Sequence, residues 1–153
     1  MKSKVFLVLL LAVVLSNCSD KKSNFIDTDT LTIEPKSIEK IYGCPDTRYS
    51  LNVDLKETFT VIKNQVTFDK FVSGSCKPGI DFNSYNLFIG KKALPSGNNS
   101  IQYDIQKLQG TKKLNIKITF YQNGAAVALN ITYHILLPKG YEIDKVTIIE
   151  TIP

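Results

Sequence analysis

The stretch Leu114–Leu137, LNIKITFYQNGAAVALNITYHILL, decides the fold. In its first part Leu114, Ile116, Ile118 and Phe120 are apolar, while Asn115, Lys117 and Thr119 between them are polar. Successive strand residues point to opposite faces, so this two-residue period predicts a strand with one face buried. QNGAA follows, with the Asn and Gly of a turn. The pattern then resumes, with Leu129, Ile131, Tyr133, Ile135 and Leu137 pointing one way. On that alternation His134 falls on the opposite face, toward solvent.

The same pattern extends in both directions. Ile101, Tyr103 and Ile105 share one face of a preceding strand, Tyr85 to Ile89 is a compact apolar run, and Lys145 to Ile152 makes a last strand. Short connectors QGTKK, QNGAA and PKGYEID carry turn residues. Successive strands on short connectors predict an antiparallel meander with one face buried. Upstream, Ser50–Leu55 alternates and Thr58–Lys63 is β-rich. Asn64 then suits a helix N-cap ahead of QVTFDKFV, with Val66, Phe68, Phe71 and Val72 available to the core and Gly74 as a stop. The expectation is a β-rich α+β domain: about five to seven strands in a meander, with one short helix packed on one face.

The first residues have a different character. Lys2 and Lys4 precede an unbroken apolar run of eleven residues, Val5 to Leu15. As a helix this run covers only about 16 Å of a hydrocarbon core about 30 Å thick, which suits a secretory leader rather than a membrane span. Leu15-Ser16-Asn17-Cys18 resembles the lipobox of bacterial lipoproteins, with Asn17 departing from the usual small residue before the cysteine. That resemblance implies cleavage before Cys18 and its acylation, by enough chains to anchor the protein stably. The alternatives are an ordinary leader cut nearby and an uncleaved anchor. The expected organisation is a leader over 1–17, a lipidated Cys18 with a flexible polar tether to 37, and one globular domain over 38–153. Asp20, Lys21 and Lys22, close to the acylated cysteine, resemble the charges that direct lipoproteins to the outer membrane or cell surface.

Removing 17 of 153 residues leaves 136, enough for one domain with a real core. Loss of Lys2 and Lys4 lowers the formal charge from +5 to +3. The remaining lysines are scattered and Arg48 is the only arginine, so the dense basic stripe of a nucleic-acid binder is absent. Cys44 and Cys76 remain as an even pair, which in an exported chain reads most simply as a disulfide; two separate buried thiols are the alternative. With no CxxC and a single histidine, neither a metal site nor a cofactor is expected.

The runs TFDKFVSG (67–74), GIDFNSYNLFIGKKALPSGNNSIQYDIQKL (79–108) and YHILLPKG (133–140) resemble the C-terminal domain of PrcB-type lipoproteins. These are accessory subunits of a surface protease complex in oral spirochaetes, with related short lipoproteins in Bacteroidota. The likeness covers about 62–152. Pro95-Ser96-Gly97-Asn98 stands where that family has a Pro-Thr-Gly-Gly-like loop, with Ser for Thr and Asn for the second Gly. The resemblance implies a protein-binding or protease-associated role and brings no catalytic residues.

No catalytic set emerges from the residues either. His134 has no nucleophile in sequence reach, and Ser73-Gly74-Ser75-Cys76 is not a GxSxG elbow. Gly90 to Ser100 reads as a long loop between strands. Its Lys91, Lys92, Pro95, Ser96, Gly97, Asn98 and Asn99 are the candidate recognition residues, with a plain solvated connection as the alternative. The reading is a non-enzymatic lipoprotein on the outer membrane, bound through its lipid and partnered by an envelope protein such as a protease. A small-molecule or glycan-binding lipoprotein comes second, although the lack of Trp argues against sugar stacking, and a hydrolase third.

Overall fold

A computed structural model describes residues 30–55 and 58–152. The leader over 1–17 and Cys18 lie outside the described residues. In chain order the elements are β1 (Thr30–Ile33), α1 (Ile38–Tyr42), α2 (Thr47–Ser50), β2 (Leu51–Val53), β3 (Phe59–Ile62), α3 (Gln65–Phe71), β4 (Val72–Gly74), β5 (Tyr85–Leu94), β6 (Asn98–Leu108), β7 (Lys113–Gln122), β8 (Leu129–Pro138) and β9 (Glu142–Thr151). The β-rich α+β class stands. The stretch expected to end a flexible tether is instead partly strand, because Thr30–Ile33 pairs antiparallel with Ile105–Leu108 of β6.

The strands do not form a meander. They divide between a four-stranded sheet of order β1-β6-β7-β9, a three-stranded sheet of order β3-β5-β8 and the small β2-β4 pair. Only β6 and β7 form a simple hairpin among the last five strands; from β7 the chain crosses to β8 in the other sheet and returns as β9, parallel to β7. The physical reason lies in β5 and β8. Their apolar residues run consecutively, as Leu87-Phe88-Ile89 and Ile135-Leu136-Leu137, so each strand has two faces to bury. A single-sided sheet would leave one of them wet.

The molecule answers with three layers. Phe88, Ile131, Tyr133, Ile135 and Leu137 face the four-stranded sheet and meet Leu114, Ile116, Ile118 and Phe120 of β7, all buried as their alternation predicts. Phe120 meets Tyr133 edge-on, with ring centroids 5.5 Å apart. Leu87, Ile89 and Leu136 face the other way, onto Ile38, Phe68, Val72 and the β2-β4 pair. Three short helices cover that face rather than one.

The local signals at α3 divide. Asn64 caps it, its side-chain oxygen accepting from Thr67 N at 2.8 Å. Phe68 is buried, but Val66, assigned to the core by the sequence, is 80% exposed because it faces away from the sheet. Gly74 does not stop the helix, which ends at Phe71. It lies in β4 at φ +144°, where a Cβ would overlap the Ser50 carbonyl across the pair.

Candidate functional site

His134 is the residue the sequence misplaces. It is 3% exposed, because its face of β8 is covered by the segment carrying α1 and α2. Ser37 opens α1 by accepting from Lys40 N at 3.2 Å, which sets Glu39 in the first turn, where a carboxylate suits the helix N-terminus. Gly43 ends α1 in a left-handed conformation, and Asp46 (φ 48°) starts α2. Between them Cys44 is joined to Cys76 in a disulfide, with Cα atoms 5.6 Å apart. The pair expected from the cysteine count therefore pins the loop that delivers Glu39 and Thr47 to the sheet.

Thr47 Oγ1 lies 2.6 Å from His134 Nε2, and Glu39 Oε2 lies 3.5 Å from the same nitrogen. An ionised carboxylate only accepts, so this arrangement places the ring proton on Nε2. His134 Nδ1 is buried without a partner among the described residues. The backbone N–H of His134 donates to Tyr103 Oη at 3.0 Å, and Thr132 Oγ1 donates to the Leu51 carbonyl at 2.7 Å. Burial works to raise the Glu39 pKa, but the hydrogen bond and charge of His134, its own backbone and Ser37 outweigh it and hold the carboxyl at about 2. Burial pushes the Tyr103 phenol upward.

Glu39, Thr47, Tyr103, Thr132 and His134 line a partly open pocket of about 410 Å³ along the outer edge of β8. Its wall is mixed: Glu39, Thr47, Thr132 and His134 place polar groups among Ile101, Tyr103 and Ile135, with Arg48, Asn99 and Ser100 at the rim. The Glu39–Thr47–His134 set is not a nucleophilic triad. A triad places nucleophile and orienting carboxylate on opposite ring nitrogens, whereas here both approach Nε2. The chemistry on offer is hydrogen bonding and charge recognition from a rigid frame. Among the described residues no three His, Cys, Asp or Glu side chains group as metal ligands.

The expected recognition loop is mostly not a loop. Lys91 and Lys92 belong to β5, opposite Thr132 and Ile131 of β8, and Lys92 pairs with Glu150 of β9. Pro95-Ser96-Gly97 is a tight corner between the two sheets. Ser96 Oγ donates to Gln122 Oε1 at 2.6 Å, Gly97 is backed by the Asn123 side chain, and Asn98 is 5% exposed. Arg48 Nη1 donates to Asn98 Oδ1 at 3.2 Å and to the Asn99 carbonyl at 2.8 Å. The corner thus carries Asn99, with Ser100, to the pocket rim, while Lys91, Lys92, Pro95, Ser96, Gly97 and Asn98 are not among the pocket's lining residues. Sequence reasoning missed Glu39, Thr47 and Tyr103 as partners of His134, and Arg48 as the residue that ties the rim. The available signal was the run Ile135-Leu136-Leu137, which announces that the His134 face is covered. Comparison with protein-family models, with curated proteins and with solved structures returns no match.

Proposed function

We propose that this chain is a lipid-anchored envelope lipoprotein whose domain binds a partner protein, as an accessory to a protease or a similar envelope enzyme, through the pocket beside β8. The observation that carries the binding role is that pocket. It gathers the otherwise buried polar side chains of Thr47, Thr132 and His134 around one opening, in an arrangement suited to recognition rather than nucleophilic attack. Leu15-Ser16-Asn17-Cys18 supports the anchor, and the Cys44–Cys76 disulfide supports export to an oxidising compartment. The likeness of 62–152 to PrcB-type C-terminal domains supports a protein partner rather than a reaction of its own.

A photo-crosslinking side chain placed at Asn99, on the rim, tests this in the native envelope. One discrete envelope protein should be captured, and Arg48→Ala, which frees the rim, should cut the capture severalfold. Capture of no protein overturns the reading. A second reading, binding of a small polar molecule or glycan, is favoured by the pocket's size and hydroxyl-bearing walls; a saturable ligand without a captured protein selects it. The anchor has a separate test. Mass spectrometry should find Cys18 as an acylated N-terminal residue, and Cys18→Ala should move the protein to the soluble fraction. Retention of that variant on the membrane overturns the anchor.

A further inference from the structure

A second cleft of about 550 Å³ opens on the opposite side of the sandwich, away from His134. Its origin is a mismatch between facing edges. β3, the edge of the three-stranded sheet, has four residues, and β9, the edge of the four-stranded sheet, has ten. The short strand cannot cover the long one, so the sandwich gapes there. Phe59 and Val61 of β3 and Ile143 and Val146 of β9 pack partly on the core and partly line this opening.

Lys63, Tyr141, Glu142 and Asp144 also line the cleft, and one polar group among its walls is buried. Asn86 of β5 lines the cleft and is 8% exposed, and its Oδ1 is buried with no hydrogen-bond partner among the described residues. A buried amide oxygen without a donor is rare and costly in a folded protein. Buried Thr132 is satisfied by a bond to the Leu51 carbonyl, whereas Asn86 Oδ1, like Asn115 Oδ1 and His134 Nδ1, has no partner among the described residues. The amide of Asn is also free to turn, since its terminal torsion is broad, so the oxygen can be presented to the opening.

We propose that this cleft binds a small amphipathic molecule, its apolar body against Phe59, Val61 and Val146 and a hydrogen-bond-donating head (a hydroxyl, amide or ammonium) at Asn86 Oδ1. The cleft volume falls within the range of about 300–1,000 Å³ common to small-ligand sites, whose usual make-up is apolar walls with a few placed polar groups; here Glu142 and Asp144 add acceptors suited to the same donor head. An amide oxygen only accepts, which selects a donor head over an acceptor one. The site stands independently of partner binding beside β8.

Amide NMR of the purified protein, titrated with 1-hexanol and with its isomer 1-methoxypentane, tests the proposal. The two probes have the same heavy-atom count, and only the alcohol carries a donor. The alcohol should shift the Asn86 side-chain amide and the backbone amides of Val61 and Val146 saturably, binding about three- to tenfold more tightly than the ether. Asn86→Leu should erase that preference while leaving ether binding in place, and Val146→Phe should fill the cleft and abolish both. Shifts confined to the His134 pocket, or no saturable shift, overturn the proposal, as does a preference that survives Asn86→Leu. If the spectrum of Asn86→Leu shows an unfolded chain, the isomer preference of the parent protein and its loss in Val146→Phe decide the matter.

Discussion

Glu39 gives the fold a dependence on pH. The Glu39 carboxyl is held at about 2 against an ordinary 4.5. A depressed carboxyl stabilises the fold above its unfolded value, and that contribution disappears as pH falls toward the folded value. Glu39 is 37% exposed, so solvent screening reduces its worth to about 1 kcal/mol. Glu39→Gln should therefore be less stable than the parent at pH 7, with the gap closing between about pH 4.5 and pH 2 in urea melts. His134→Ala removes the Thr47 and Glu39 contacts and opens a buried hole, and should cost about 2–4 kcal/mol by the same measurement. Gly90 has a different constraint. The Tyr133 ring crosses it so that Tyr133 Oη can donate to the Thr58 carbonyl at 2.9 Å, and a Cβ there would overlap both groups. Gly90→Ala should destabilise by about 1–3 kcal/mol or more, while an exposed control such as Gly124→Ala, with open space around its Cα, should change little.

Among the elements, α3 and the disulfide carry the clearest tests. Asn64→Ala removes the cap on Thr67 N and should cost about 1 kcal/mol in denaturant unfolding. Reducing Cys44–Cys76, which closes a separation of 32 residues, should cost about 3–4 kcal/mol on the chain-entropy account. Because that bond holds the loop between α1 and α2, its loss should also loosen the contacts of Glu39 and Thr47 with His134. The strands were legible wherever alternation was strict, as in β7, whose Leu114, Ile116, Ile118 and Phe120 face inward. Legibility failed where both faces are buried. In β8 the alternation of Leu129, Ile131 and Tyr133 reads as one-sided, yet Leu136 between Ile135 and Leu137 has nowhere to go but a second core. That one oversight hid the helical layer, the burial of His134 and with them the pocket. Glu39 and Thr47 carry no local mark of their role, since it exists only after a long-range fold brings them to β8; Thr47 stands 87 residues away in sequence. Asn64 was legible because a cap is local, and the Pro95–Gly97 corner was not because its partners, Gln122 and Asn123, arrive from the far end of β7.

The whole molecule is held by pairings between distant parts of the chain. β1 closes on β6, and β7 waits for β9, which supplies Ile143, Val146 and Ile148 to the side of the core. A chain ending at Lys139 lacks β9 entirely. It should lose the cooperative unfolding transition and bind a hydrophobic dye such as ANS, because the β7 edge and part of the sandwich core stand open. A protein lacking only β1 should keep its transition, since that strand is largely exposed at the rim of the sheet.

The parallel seating of β9 against β7 also imposes a schedule. A ribosome emits the chain from its first residue, and the strand that completes the four-stranded sheet emerges after every other element of the described residues. Until residues 142–151 are free, the core cannot close, however much of the upstream chain is already out. Low-contact-order proteins begin to fold while still being made, whereas this one is obliged to wait. That delay keeps the upstream chain pliable until residues 142–151 have joined it.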